Sequence, residues 1–114
     1  MFKPRDPREL VIDLIPRSIC SVMVASVIAD HHGIFSWGVN HAGFDGFGMH
    51  AEKEAIRRSN QKRLRGATIF VAGIRMRTGN PVNAKPCEMC SKLVEKWGLH
   101  VIYRNRKGIW IYGQ

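Results

Sequence analysis

The run Thr68 to Ile74, TIFVAGI, most constrains what this chain can become. Seven residues with no charge among them read as a strand buried on both faces, so both faces must be covered. The flanking segments supply the cover. From Met49 to Arg58 the pattern is helical, with Ala51, Ala55 and Ile56 on one side and charged residues on the other, and Ser59-Asn60 close it. Cys87 to Trp97 is a second helical stretch, with Met89, Leu93 and Val94 apolar and Gly98 as its stop. A buried strand between two amphipathic helices implies an α/β sheet with crossover connections. With 114 residues there is room for one such core, so residues 1–114 are expected to form a single domain.

The other elements fall around this centre. Asp6-Pro7-Arg8-Glu9 has the form of a capping box, and the stripe of Leu10, Val11, Leu14 and Ile15 predicts a helix over 7–15, ended by Pro16. Residues 19–29 and 34–40 are β-type runs split by a turn at Asp30 to Gly33, which predicts a hairpin with His31 and His32 as exposed turn residues. Residues 41–48 (HAGFDGFG) form a glycine-rich loop, and no Gly-Lys-Ser/Thr follows to make it a phosphate loop. After a loop over 76–86 and the second amphipathic helix come strands at 100–103 and 109–112, joined by five residues and therefore antiparallel. The order is α-β-β-α-β-α-β-β, a five-stranded mixed sheet flanked by helices.

Charge and cysteine count restrict function. The longest apolar run, Ile19 to Ala29, is too short to span a bilayer. The N-terminal MFKPRDPR is not followed by a signal-peptide core, so a reducing cytoplasm and no membrane partner are expected. Three cysteines cannot form a complete set of internal disulfides. Cys20, in an apolar stretch, reads as a small buried hydrophobe. Cys87 and Cys90 form a Cys-x-x-Cys, which in a reducing compartment points to metal or redox chemistry. Net charge is −2 over residues 1–55 and +11 over 56–114. Arg57, Arg58, Lys62, Arg63 and Arg65 lie within nine positions without an acid, which reads either as a solvated face or as a patch for nucleic acid.

The chemistry concentrates in Met49-His50-Ala51-Glu52 and Pro86-Cys87-Glu88-Met89-Cys90. Both segments start helices that flank one strand, so both can open on the same edge of the sheet. Cys87 and Cys90 share one face of a first helical turn, where the helix N-terminus favours thiolates. An imidazole from His50 completes three ligands of the kind zinc prefers and leaves a fourth position for water, whose pKa zinc lowers toward ~7. Glu52 can flank that water and move its proton, or it can be a helix-end acid and nothing more.

His-x-Glu followed by Pro-Cys-x-x-Cys is the signature of zinc deaminases acting on nucleobases. The chain resembles the cytidine/deoxycytidylate deaminase superfamily over essentially its whole length, since the element order agrees as well. The resemblance implies a three-layer cytidine-deaminase-like fold and one Zn2+ per chain on His50, Cys87 and Cys90. It implies that Glu52 shuttles a proton from water to the ring nitrogen and then to departing ammonia, that the backbone of Ala51 bonds the base carbonyl, and that Asn40 contacts the sugar. Lys85, next to Pro86-Cys87, is assigned to substrate binding with them. Trp37, Phe44 and Phe47 are candidates to stack on the base, with core packing or loop anchoring as their alternative roles.

The closing strand pair resembles the branch that holds free cytidine deaminases, blasticidin deaminases and bacterial deaminase toxins. Two features depart from free cytidine deaminases: His50 stands where they carry Cys, and Asn40-His41-Ala42-Gly43 lacks the Glu of their Asn-x-Glu-Asn. The leading reading is a deaminase of a cytosine-bearing nucleoside or nucleotide. The second is a deaminase of cytosine, less readily adenine, in single-stranded nucleic acid. The third is a non-catalytic zinc-stabilised module. The apolar terminal run Ile109 to Tyr112 and the family resemblance imply a homo-oligomer, a dimer or tetramer.

Overall fold

The structure, a computed structural model, describes residues 5–42 and 48–113. Phe44 and Phe47 lie outside the described residues, so their proposed stacking role has no structural test.

Helix α1 (Pro7–Leu14) starts where the sequence places it, with the Asp6 carboxylate accepting the Arg8 N–H at 2.9 Å and Pro7 in the first turn. A 3-10 turn at Ile15–Arg17 then leads into strand β1 (Val22–Asp30). The strand begins three residues later than the apolar run because Ile19 projects into solvent and the Ser18 hydroxyl ties this corner to Asn40. β1 pairs antiparallel with β2 (Gly33–Val39), as the hairpin pattern predicts, with a register shift between Ile28 and Ala29. Two short segments, β3 (His41–Ala42) and β4 (Gly48–Met49), then pair and set His41 opposite Met49. Helix α2 (Ala51–Arg58) follows directly.

The TIFVAGI run becomes β5 (Thr68–Arg75), the middle strand, with Ile69, Phe70, Val71 and Ala72 all buried. Helix α3 (Glu88–Lys96) carries the chain to β6 (His100–Arg104), parallel to β5, and β7 (Trp110–Gly113) closes antiparallel to β6. The sheet order is β2-β1-β5-β6-β7, a five-stranded mixed sheet. Strand alternation divides the core into two layers. Val11, Leu14 and Ile15 pack on Met23, Ala25, Val27, Phe70 and Ile102 of one face. Ala55 and Ile56 of α2 and Val94 of α3 pack on Ile28, Ile69, Val71 and Val101 of the other. The fold is thus three layers, helix on sheet on helices.

α2 lies unusually close to the sheet. A Cβ built on Gly38 would stand 2.6 Å from the Ala51 carbonyl oxygen and 2.7 Å from the Ala55 nitrogen, both backbone atoms that cannot rotate away. Two buried hydroxyls lock the same contact: Ser26 donates to the Ala51 carbonyl at 2.8 Å and Ser36 to the Ala55 carbonyl at 2.6 Å. Gly38→Ala is therefore expected to push α2 off β2, at an overpacking cost of about 1–3 kcal/mol. Urea denaturation measures this; an unchanged midpoint would show that the helix has room to spare.

β7 is the outer strand beyond β6, and Ile109 and Tyr112 are 55% and 77% exposed. No helix of the described residues is long and apolar enough to cross a membrane.

Candidate metal centre and active site

His50 caps α2 and Cys87 caps α3, each with extended backbone just ahead of the first helical turn. Both helix starts sit at the end of the sheet where the parallel strands β5 and β6 finish, the edge at which α/β sheets bind ligands. The His50 Nδ1 lies 3.3 Å from the Cys90 sulfur and 3.6 Å from the Cys87 sulfur. All three donor atoms fall within 4.8 Å of one another. Nδ1, rather than Nε2, is the nitrogen turned to the sulfurs.

The donor set fits zinc: two sulfurs and one imidazole nitrogen, brought together by two helix N-termini. The electrostatics agree. Burial, the Glu52 carboxylate and the Cys87 sulfur all push the Cys90 thiol well above its ordinary range. A buried sulfur among acidic neighbours is held protonated until a cation arrives to stabilise its anion. Among the described residues the cluster holds three donors; catalytic zinc sites use three protein ligands and structural ones four.

Glu52 is 5% exposed, and burial raises its carboxyl above the ordinary carboxylate range, with the neighbouring Cys90 thiol and His50 partly offsetting the shift. A carboxyl held beside the cluster in this way is placed to take and return a proton. His50, Ala51, Glu52 and Cys87 open on a cavity of about 310 Å³, whose walls also include Asn40, His41, Asn83 and Lys85. That volume lies at the small end of ligand pockets.

The sequence candidates divide. Asn40 borders the cavity, yet its side chain is largely committed: Oδ1 accepts from the Ser18 hydroxyl at 2.6 Å and the Val24 N–H at 2.9 Å, and Nδ2 donates to the Val22 carbonyl at 2.8 Å. One Nδ2 hydrogen is left over. Trp37 does not reach the cavity. It belongs to the opposite face of the sheet, packed with the α1 layer, and its ring stacks under Arg58 at 4.0 Å and Arg17 at 5.3 Å. Alternation along β2 explains this, because Ser36 and Gly38 are the residues that meet α2.

The run Arg57 to Arg65 also reads differently in three dimensions. Arg57 forms a two-point ion pair with Glu54, Arg63 forms another with Asp30, and Arg58 is spent on Trp37. These residues lie where α2 ends, at the far end of the sheet from the His50 cluster. Arg63 holds the Asp30 carboxyl far below its usual range. Because Asp30 is more acidic folded than unfolded, its contribution to stability is present above pH about 4 and fades as pH falls through the lower folded value. Asp30→Asn should flatten the acid limb of the stability curve, measured by thermal melts from pH 7 downward. An acid limb identical to the parent's would show that the pair is solvated and idle.

Two further residues line the cavity. Cys20, expected to be a buried hydrophobe, is half-buried and forms part of the cavity wall. His41 is brought in by the β3–β4 pairing, and its Nε2 stands 3.7 Å from the buried Glu54 carboxylate. Nothing in the local pattern foretells either placement: Cys20 is set by the corner before β1, and His41 by the β3–β4 pairing.

Comparison with known proteins agrees with this geometry. The family model described as "Cytidine and deoxycytidylate deaminase zinc-binding region" matches residues 10–104. The chain belongs to the cytidine and deoxycytidylate deaminase family. Among solved structures it is similar to cytidine deaminase from Burkholderia pseudomallei, with 18% identity, 95% of this chain and 89% of that chain covered, and a TM-score of 0.74. It is also similar to the deoxycytidylate (dCMP) deaminase of cyanophage S-TIM5 in complex with dCMP and dUMP, at 22% identity, 86% and 77% coverage and a TM-score of 0.66. Cytidine deaminase from Mycobacterium leprae is a third, at 18% identity, 92% and 88% coverage and a TM-score of 0.59. No curated protein sequence gives a significant match. At these identities the solved structures speak for the fold, and the family match speaks for a zinc-binding deaminase domain.

Proposed function

We propose that this chain is a zinc-dependent hydrolytic deaminase that converts cytosine, carried on a nucleoside or nucleotide, to uracil and ammonia in a reducing cytoplasm. The observation that carries the reading is the convergence of His50, Cys87 and the buried Glu52 on one cavity of about 310 Å³, with the Cys90 sulfur clustered behind them on His50 and Cys87.

Zinc bound by His50, Cys87 and Cys90 would supply a water of lowered pKa as the nucleophile. The remaining work falls to the chain itself. Glu52 takes a proton from that water and passes it to the ring nitrogen, which makes the amine-bearing carbon electrophilic. Once the water's oxygen has bonded to that carbon, Glu52 takes the proton left on the new hydroxyl and hands it to the amino group, so that the carbon–nitrogen bond breaks, ammonia leaves and a carbonyl remains. The Ala51 N–H, in the first turn of α2, is one of the donors a helix leaves unpaired, and it would hold the base carbonyl. Ser26 fixes the Ala51 carbonyl and so the helix start from which that N–H projects. The spare Nδ2 hydrogen of Asn40 would donate to a sugar oxygen, and Lys85 and His41 border the space beyond.

The non-catalytic alternative is disfavoured by the three-ligand donor set and by the placing of a raised carboxyl beside it. The experiment is ammonia release by zinc-loaded protein with cytidine, deoxycytidine, their monophosphates, adenosine and single-stranded DNA as substrates. Release from at least one cytosine substrate is expected. Release from adenosine alone, or from none, would overturn the reading.

A further inference from the structure

Part of the +11 charge of the second half of the chain lies away from the basic run. Six cations stand at the end of the sheet that carries the His50 cluster: Arg75 where β5 ends, Arg77 in the turn after it, Lys85 ahead of α3, Arg104 where β6 ends, and Arg106 and Lys107 in the turn to β7. No acidic residue occurs in 75–87 or in 104–113. Among the described residues none of the six forms an ion pair, in contrast to Arg57 and Arg63 at the far end. The two segments are joined, because the Ala84 N–H donates to the Arg104 carbonyl at 3.0 Å.

A second cavity, of about 570 Å³, opens there, lined by Asn83, Asn105, Arg106, Lys107 and Ile109. Asn83 also lines the cavity above the metal cluster, so the two spaces adjoin. The Asn105 Oδ1 accepts the N–H groups of Lys107 at 2.9 Å and Ile109 at 3.0 Å, which holds this turn in one shape. A base and its sugar suffice for the first cavity and leave the second unused. A nucleoside monophosphate adds one phosphate with a charge of about −2, far less than six cations neutralise. Several phosphodiesters in a row, each carrying one negative charge, match both the spread and the sign.

We infer that the cleft formed by Asn83, Asn105, Arg106 and Lys107 receives the phosphate backbone of a single-stranded polynucleotide beside the target nucleotide. This rests on the proposed deaminase reading and extends its substrate from a nucleoside or nucleotide to a polynucleotide. The backbone contacts position the strand, while the zinc-side cavity takes the base.

The test uses Arg106→Glu with Lys107→Glu in the full-length, zinc-loaded protein, since neither residue lines the metal-side cavity. Two readouts are needed. The first is binding of fluorescent oligo-thymidylate, which contains no cytosine, as a function of salt. Wild type should bind with an affinity that falls steeply as salt rises, and the double variant should bind at least tenfold more weakly with a shallower slope. The second is deamination of cytidine, deoxycytidine monophosphate and an oligonucleotide with one cytosine. The variant should lose tenfold or more on the oligonucleotide and stay within about twofold of wild type on cytidine, because the exchanged charges are screened from a neutral nucleoside. Loss on the monophosphate as large as on the oligonucleotide, with no oligo-thymidylate binding, would assign the cleft to a free nucleotide and overturn the inference. Salt-independent binding, or equal loss on all three substrates, would also overturn it. Absence of all turnover with intact, salt-dependent oligonucleotide binding would instead bring down the deaminase reading and leave the polyanion cleft standing.

Discussion

Glu52→Gln should lose roughly 100- to 10,000-fold in turnover, the range a positioned acid–base group supplies, while keeping its fold and its zinc. Gln has nearly the shape of Glu and fits the same buried position, but it cannot accept a proton from water. The loss belongs at the upper end of that range, because the proposed mechanism uses Glu52 in more than one proton transfer. It is not among the three clustered donors, so metal content is expected to match wild type. Burial raises the Glu52 carboxyl, and the neutral amide also removes a charge that is costly to bury. The variant should therefore melt at or above the wild-type temperature. A variant retaining more than half its activity would reduce Glu52 to a helix-end acid.

Cys90→Ala should remove both zinc and activity, and it should soften the whole fold. Cys90 is fully buried at the first turn of α3, and its sulfur lies 3.3 Å from the His50 Nδ1, so metal binding ties α3 to the start of α2. A ligand that binds the native state at a thousand times its Kd adds about 4 kcal/mol to stability. In a domain of this size that corresponds to a melting shift of roughly 15 °C or more. Chelation of wild-type protein should produce a drop of the same order, whereas Cys20→Ala, altered at the third cysteine, should keep its full complement of one zinc per chain. Metal analysis and calorimetry together decide the matter. Equal melting temperatures with and without metal would mean that the two helix starts are held by packing alone.

Much of this was legible in the sequence because it is carried by local periodicity and spacing. The TIFVAGI run, the two amphipathic helices and the Asp6-Pro7 cap each specify their own element, and a mixed sheet follows from two hairpins joined through helical crossovers. The metal cluster was legible for the same reason. His50 and Cys87 each sit at a helix start, and two helices that cross the same sheet face place their starts on one edge. What could not be read was which face of a strand a given residue takes. Trp37 went to the α1 layer because Gly38 must lie under α2, and a single step along β2 reverses the face. Charge pairing could not be read for a related reason. Arg57, Arg58 and Arg63 look free in the sequence, but Glu54, Trp37 and Asp30 reach them only across the fold. The unpaired cations come from two segments about twenty residues apart that meet only when β5 and β6 pair.

The central claim, that His50, Cys87, Cys90 and Glu52 form a hydrolytic zinc deaminase, is tested most directly by tracing the product's oxygen. Wild-type protein is loaded with zinc and incubated with the cytosine substrate it turns over best, in water enriched in oxygen-18, with Glu52→Gln protein alongside. Mass spectrometry then reads both the uracil product and the released ammonia. The account predicts one heavy oxygen per uracil formed, at the carbon that lost its amine, one ammonia per uracil, and a signal that disappears with Glu52→Gln or after chelation. Uracil formed without solvent oxygen, or at an undiminished rate in metal-free protein, would contradict it.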